Sequence, residues 1–305
     1  MAQFSNINLR FLNLVIGLCK RVPGLPSDLL NLGYAVKWIE LDFTNSSGEK
    51  VKPDIILTSP RLKNTLVFEW KSGASLDKGQ LLRYSQLTGQ DLIQRAFVDK
   101  DSVESFDIVY LCLEENKENI LRSIQETGYN FPILTVSENA IQLSSNHFGE
   151  QVLDSIFNPG LGIKFSRVPT NFVPLDIESK NWEIAERFIP VLIKYMSQNQ
   201  TQFSLTSVCK DLIEFWDSLG PATRKQLKGK INTVVQLASE GQFSSFLVRV
   251  KQTIIPEPVW EIRNNPISFP VPKRRVQFQK MRALQKEFIE SLRTGTRQEI
   301  LKLGP

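Results

Sequence analysis

Apolar residues in the first half of the chain recur in two rhythms, every third or fourth position and every second, which mark helix and strand respectively. Residues 9–20 form an apolar run of helical period, and Asp28 to Leu32 form a short second helix. Val36 to Phe43 alternates as a strand, with Ile39, Leu41 and Phe43 on one face. Two more strands are expected near residues 53–57 and 65–71. Asp77 to Phe97 reads as one helix with Leu81, Leu87, Leu92 and Phe97 on one side. Asp107 to Leu113 is a nearly continuous apolar run, as in a strand buried on both faces. Residues 116–127 give another helix and Ile133 to Val136 another strand. The order predicts an α/β fold over residues 1–165, a mixed sheet flanked by helices.

The second half changes character. Residues 166–180 (SRVPTNFVPLDIESK) hold two prolines and no periodicity, and are expected to be a linker. Trp182 to Gln198 follows as a helix carrying Ile184, Phe188, Val191, Leu192 and Tyr195. A short extended piece spans Phe203 to Leu205, and a helix runs from Thr206 to about Leu219. Gly220-Pro221 breaks the chain before a long helix to Gly241. Ser245 to Gln252 and Val259 to Ile262 alternate as strands. Three helices and a two-stranded ribbon over residues 181–263 are the layout of a winged helix-turn-helix, a mainly helical domain. Residues 264–305 make a basic tail with an amphipathic helix on Val276, Met281, Leu284, Phe288 and Leu292.

Bulk properties narrow the function. At 305 residues, with 41% apolar and 23% charged residues, the chain has the composition of an ordinary globular protein of two domains. No stretch approaches the roughly 20 apolar residues that span a bilayer. The N-terminal run lacks a basic leader and a cleavage site, so a cytoplasmic protein with no membrane partner is expected. Cys19, Cys112 and Cys209 are widely spaced in apolar surroundings, as reduced core thiols are. A single histidine, His147, excludes a His-pair metal site and is expected on a surface loop. The absence of a GxxxxGK[ST] loop argues against a nucleotide cofactor. Residues 1–180 hold 18 Lys and Arg against 21 Asp and Glu, whereas residues 181–305 hold 19 against 11. A slightly acidic half joined to a basic half suggests that one part does chemistry while the other holds a polyanion.

The candidate chemistry sits on the two strands near residues 53–57 and 65–71. Alternation puts Glu69 and Lys71 on one side of their strand, with Phe68 and Trp70 on the other. If these strands form a hairpin through residues 58–63, Asp54 faces Glu69, and two carboxylates and an ammonium converge. A surface Glu–Lys pair alone would mean little. Here Leu66, Val67, Phe68 and Trp70 make the strand apolar on both faces, and charges inside such a strand need a metal, a phosphate or each other.

Pro53-Asp54 followed by Glu69-Trp70-Lys71 resembles the signature of the PD-(D/E)xK nuclease superfamily. Gln80 and Tyr84 match the QxxxY element of its RecB-like branch, and the resemblance spans roughly residues 30–115. It implies a restriction-endonuclease-like sheet and hydrolysis of phosphodiesters assisted by Mg²⁺, with Mn²⁺ as a substitute. Asp54, Glu69 and the Trp70 carbonyl would hold the metal, and Lys71 would orient the attacking water or stabilise developing charge. Many members add a further acid, for which Glu40 is the better candidate and Asp28 the lesser. Gln80 and Tyr84 would contact substrate phosphate or support the metal shell. Gln80 is equally placed to complete a capping box with Asp77, and Tyr84 to fill the core.

The helix after Pro221 has Leu227, Ile231, Val234 and Ala238 on its buried stripe and Arg224, Lys225, Lys228 and Lys230 near its start. That is where a recognition helix meets the major groove of double-stranded DNA. Arg249 and Lys251 on the next strand, and Lys273, Arg274 and Arg275 in the tail, extend the basic set. The tail helix could equally dock a partner protein or a second copy. The expected protein is a DNA endonuclease of defence or mobile-element processing. Its domain order is similar to the end-cleaving endonuclease subunit of heteromeric transposases, which usually has Gln where this chain has Glu69. The alternatives are a non-catalytic DNA-binding regulator on a nuclease fold and an RNA-directed nuclease.

Overall fold

The structure, a computed structural model, describes residues 6–73, 75–250 and 257–295, with only the backbone of Pro272. The chain forms two units: Met1–Val173 with Ser218–Thr223, and Pro174–Asp217 with Arg224–Pro305.

In the first unit, the apolar run near the start becomes α1 (Ile7–Leu18), opened by Asn6, whose side chain accepts from Leu9 N at 3.1 Å. A short α2 (Asp28–Asn31) leads to β1 (Ala35–Ile39) and a small hairpin of β2 (Phe43–Thr44) and β3 (Lys50–Val51). A larger hairpin follows, β4 (Ile55–Ser59) and β5 (Asn64–Lys71). Then come α3 (Lys78–Ser85), α4 (Gly89–Gln94), β6 (Ser105–Leu113), α5 (Lys117–Gln125) and β7 (Ile133–Val136). β8 (Ala140–Ser145), α6 (Gln151–Phe157) and β9 (Leu161–Gly162) complete the unit.

Seven strands form one mixed sheet in the order β1-β4-β5-β6-β7-β8-β9. The β5–β6 and β6–β7 pairs are parallel, and the other pairs are antiparallel. The fold class is therefore α/β, a mixed sheet flanked by helices. On one face Ile56, Val67, Ile108, Tyr110 and Ile133 pack with Leu81, Tyr84, Leu92, Ile120 and Ile124 of α3 to α5. β5 is buried at every position except Lys71, and α1 lies against it. β5 is thus interior to the unit, and its charged residues are held in place by the surrounding core.

Several elements differ from the sequence pattern. The strand expected over Val36–Phe43 stops at Ile39, because Glu40 adopts a left-handed φ of 50° and turns the chain. Phe43 instead pairs with Val51 in the small hairpin. The helix expected over Asp77–Phe97 is two helices. Thr88 and Asp91 close a capping box, with Thr88 Oγ1 accepting from Asp91 N at 3.2 Å and Asp91 Oδ2 from Thr88 N at 3.0 Å. A new helix start is thereby stabilised in mid-pattern. Phe97, expected on the buried side, has φ 52° and is 68% exposed. β8 and β9 lie outside the expected strands.

Phe172 and Val173, within the expected linker, are buried and tied to α1. Asn13 Oδ1 accepts from both their amides at 3.1 Å, and its Nδ2 donates to Val173 O at 2.9 Å. The segment Ser218–Thr223 runs along the end of β1, where Gly220 N donates to Ile39 O at 2.7 Å. A Cβ on Gly220 would stand 2.2 Å from Glu40 O, so glycine is required for the close approach.

The second unit contains α7 (Asn181–Ser197), β10 (Gln202–Ser204), α8 (Leu205–Leu212) and most of α9 (Pro221–Glu240). β11 (Leu247–Val250), β12 (Val259–Ile262) and α10 (Val271–Thr294) follow. The unit is mainly helical, with an antiparallel sheet in the order β10-β12-β11. Phe203 stacks on Trp260 at 5.9 Å, and Leu227, Ile231 and Val234 are fully buried. α8 ends at Leu212, short of the expected Leu219. On α10, Met281 and Phe288 are buried, but Val276, expected on the apolar face, is 61% exposed. Among the described residues no helix is long and apolar enough to cross a membrane.

Candidate active site

Strand register brings the acids of the first unit together. Ile55 pairs with Phe68 in the β4–β5 hairpin, and the ladder continues one residue further, where Asp54 N donates to Phe68 O at 3.1 Å. Asp54 therefore stands opposite Glu69 on the same face of the sheet. Its Oδ2 accepts from Trp70 N at 2.8 Å, so Trp70 contributes its amide while its ring goes to the other face.

Glu69 is 5% exposed and its carboxylate is surrounded by donors. Oε1 accepts from Lys71 Nζ at 2.9 Å and from Gln80 Nε2 at 2.7 Å, and Oε2 accepts from Tyr84 Oη at 2.8 Å. Lys71 Nζ also donates to Gln80 Oε1 at 2.6 Å. Gln80 and Tyr84 lie one helical turn apart on α3, so both reach the same carboxylate. Asp77 caps that helix through Gly79 N at 2.9 Å, while the Gln80 carboxamide turns to Glu69 and Lys71.

The electrostatics follow from burial. Desolvation drives the Asp54 carboxyl well above the usual range, and the nearby Glu69 charge pushes it the same way, against the Trp70 amide and Lys71. Burial, then Glu69, also raises the Tyr84 phenol far above its ordinary value, which keeps it a donor. Two hard oxygen ligands facing each other, each disfavouring charge on the other, suit a divalent cation that would hold both.

Glu40 N donates to Asp54 O at 3.0 Å, which places the residue next to the site. Its carboxylate turns to Lys52 Nζ at 2.8 Å and Thr223 Oγ1 at 3.1 Å. Among the described residues no three His, Cys, Asp or Glu side chains are grouped to hold a metal, so a cation here would rest on Asp54, Glu69 and main-chain oxygen.

An open cleft of about 500 Å³ adjoins α3, lined by Gln80 and Tyr84 and by Lys50, Lys52, Arg83, Asp42 and Phe43. Two groups of the cluster thus border space that three cations also face. One residue was missed by sequence reasoning. Tyr110 of β6 pairs in register with Glu69, lies edge-on to Tyr84 at 6.5 Å and is buried. Its hydroxyl has no hydrogen-bond partner among the described residues. Burial, then the charges of Glu69 and Asp54, push its phenol up. The only signal was one tyrosine in the apolar run IVYLCL after Asp107.

Residues 8–173, more than half of the chain, match the family model of the MJECL32 domain. The chain belongs to the MJECL32 domain family. No curated protein and no solved structure matches it. Asp54, Glu69, Lys71, Gln80, Tyr84 and Tyr110 all lie inside the MJECL32 domain, and the basic residues singled out in the second half lie beyond it.

Of those basic residues, Lys225 and Arg249 are exposed and Arg224 is half-buried. Lys228 is engaged with Glu257 at 3.0 Å and Thr206 at 2.9 Å, and Lys230 donates to the carbonyls of Ile177 and Ser179. Lys251 lies outside the described residues. In the tail Lys273 and Arg275 are exposed, while Arg274 donates to Ile267 O at 3.0 Å. His147 is exposed beside Asp154 at 2.8 Å, and all three cysteines are free and buried. Burial pushes the Cys112 and Cys209 thiols up to about 12, so neither is a nucleophile at neutral pH.

Proposed function

We propose that the protein is a metal-dependent nuclease that hydrolyses phosphodiester bonds in double-stranded DNA. In this reading the MJECL32 domain cuts, as an RecB-like member of the PD-(D/E)xK superfamily, and the basic second unit holds the duplex. One observation carries the reading: the nearly buried Glu69 carboxylate faces Asp54 and is gripped by Lys71, Gln80 and Tyr84. The metal would be held by Asp54, Glu69 and the Trp70 carbonyl. When bound, Mg²⁺ or Mn²⁺ supplies Lewis acidity toward the phosphate and lowers the pKa of its water. Lys71 presents positive charge where the phosphate becomes more anionic, and Gln80 and Tyr84 hold Glu69 in one orientation. The order α7-β10-α8-α9-β11-β12 supports a winged-helix reading of the second unit. The test is incubation of plasmid and linear DNA with Mg²⁺, Mn²⁺ or EDTA, beside Glu69→Ala and Lys71→Ala. Cutting that needs the metal and both side chains is expected; cutting that survives both substitutions would remove the mechanism.

A second reading, a non-catalytic DNA-binding regulator on the same fold, is favoured by the completeness of the Glu69 network, in which both oxygens already have donors. Its mark would be salt-sensitive DNA binding with no cleavage by the wild type. Defence and mobile-element roles differ in the company the gene keeps, and its genomic neighbours separate them.

A further inference from the structure

The cations of α9 and those of α10 are used differently. On α9, Lys228 and Lys230 are bound within the protein, which leaves little positive charge for a ligand. On α10, Lys273, Arg275, Lys280, Arg282 and Lys286 are all exposed, and none forms an ion pair among the described residues. Residues 271–286 contain no Asp or Glu at all; the acids of this helix, Glu287 and Glu290, begin only beyond Lys286. This charge sits at the wrong end for helix stability, because the macrodipole makes the N-terminal turns already positive. No acidic residue in the first turn offsets it.

The arrangement is more specific than a charge run. With 3.6 residues per turn, residues seven apart lie almost in line. Lys273 and Lys280 therefore form one row, and Arg275, Arg282 and Lys286 form another on the opposite border of the exposed face. Between the rows lie Val276, Gln279 and Ala283, exposed and uncharged. The buried side, with Met281 and Phe288, packs on the protein itself. Beyond Lys286 the second row is taken up internally, since Arg293 bonds Glu186 at 2.6 Å and covers the Trp182 ring at 4.6 Å.

We propose that α10 lies in the major groove of double-stranded DNA, its two basic rows on the phosphates of opposite strands and its uncharged centre toward the base edges. A helix about 10–12 Å across fits a groove about 12 Å wide, and phosphates border that groove on both sides. The five cations span about 20 Å along the helix axis, enough to follow the groove. A bilayer is the weaker partner, because the apolar side is already covered and the free face offers only scattered apolar groups. Double-stranded RNA is also weaker, because its major groove is too narrow for a helix. The inference takes from the proposed function only that the partner is DNA; it does not need hydrolysis.

The test uses the full-length protein in EDTA, with fluorescence anisotropy on a mixed-sequence duplex over a range of salt. Five neutralised phosphates should contribute a slope of about −4.5 to log K against log salt, at about −0.9 each. K273Q/K280Q should shallow the slope by about 1.8, and R275Q/R282Q/K286Q by about 2.7. All five together should weaken binding at least tenfold, with the melting temperature unchanged or raised, because the residues are exposed and their charges oppose the helix dipole. Duplex RNA and single-stranded DNA should compete at least tenfold less well. Unchanged slope and affinity in the five-residue variant would overturn the assignment, as would equal competition by duplex RNA or stronger binding to anionic vesicles. A parallel plasmid assay in Mg²⁺ keeps the outcomes separate, since the nuclease can fail there while groove binding stands, and the reverse.

Discussion

β5 and β6 carry two buried carboxylate clusters, on opposite faces of the same sheet, and the two are built on different terms. Around Asp107 the carboxylate oxygens are matched by neutral donors, and the Glu150 and Asp154 charges push it up only after those bonds. Gly149 N donates to its Oδ1 at 2.8 Å and Asn64 Nδ2 to its Oδ2 at 3.4 Å. Tyr34 Oη donates to Asn64 Oδ1 at 2.6 Å, and Ser105 Oγ donates to Glu150 Oε1 at 2.9 Å. Around Asp54 and Glu69 a second carboxylate faces the first, a lysine joins them, a cleft opens alongside, and the Tyr110 hydroxyl is unmatched. Burial raises both Asp54 and Asp107, but only at Asp54 is the next largest influence another carboxylate pushing the same way. A cluster that satisfies itself with neutral donors holds loops to a sheet. A cluster in which two carboxylates face each other beside open space is suited to bind something of the opposite sign.

The largest effect should separate the two clusters by activity. Glu69→Ala and Lys71→Ala are each expected to reduce plasmid cleavage in Mg²⁺ by at least about a hundredfold, the scale of a lost charge-stabilising group. Asp107→Asn should leave the specific activity of the folded protein unchanged. Equal losses on both faces would mean that the contrast is one of fold integrity only.

Stability should separate them with opposite signs. Asp107→Ala strands Gly149 N, while Asn64 Nδ2 keeps Ser105 Oγ at 2.9 Å, and should cost about 1–3 kcal/mol in urea unfolding. Asp54→Asn removes a charge that burial and Glu69 disfavour, so the metal-free variant should be more stable than wild type at neutral pH. The folded Asp54 carboxyl lies above its ordinary value of 3.8, so the folded state holds that proton longer than the unfolded chain. Wild-type stability from this group is therefore lost as pH rises from about 4 through the folded value, and then levels off. Asp107 is raised in both proteins and cancels in the difference. The advantage of Asp54→Asn should thus widen with pH across that window and vanish below it.

Metal should reverse that ranking. At a hundredfold excess over its dissociation constant, Mg²⁺ or Mn²⁺ would stabilise the wild type by about 2.7 kcal/mol and raise its melting temperature. Asp54→Asn should respond far less. A melting temperature indifferent to both ions would leave the acid pair without its proposed counter-charge.

How much of this could be read from the chain depends on the reach of each interaction. Asp54, Glu69 and Lys71 follow from two-residue alternation and hairpin pairing, and Gln80 and Tyr84 from one helical turn, all of which are local. Tyr110 enters through the parallel pairing of β5 with β6, and Thr223 reaches Glu40 from 183 residues away. Neither leaves a periodic trace. The break at Thr88 was written in the chain as Thr-Gly-Gln-Asp, but the apolar spacing of Leu81, Leu87 and Leu92 masked it. β8 has a polar composition, and its strand form depends on the neighbouring β7 and β9. The basic residues of α9 were visible as charges, but their engagement with Glu257 and backbone carbonyls depends on tertiary packing.

The smallest effect lies between two tyrosines on the same face, one matched and one not. Tyr84→Phe removes a donor from Glu69 Oε2 and leaves a nearly buried charge less solvated, so it should cost about 1.5–3 kcal/mol in the metal-free protein. Tyr110→Phe removes a hydroxyl that gains no bond in the fold yet lost its water on burial. Its stability should be unchanged or improved by up to about 1 kcal/mol. If Tyr110→Phe keeps its stability but loses cleavage, the hydroxyl is held in reserve for the phosphate or its water, and the unmatched groups of this face belong to the chemistry. If it keeps both, the hydroxyl is only a cost of packing, and the active centre narrows to the residues that grip Glu69.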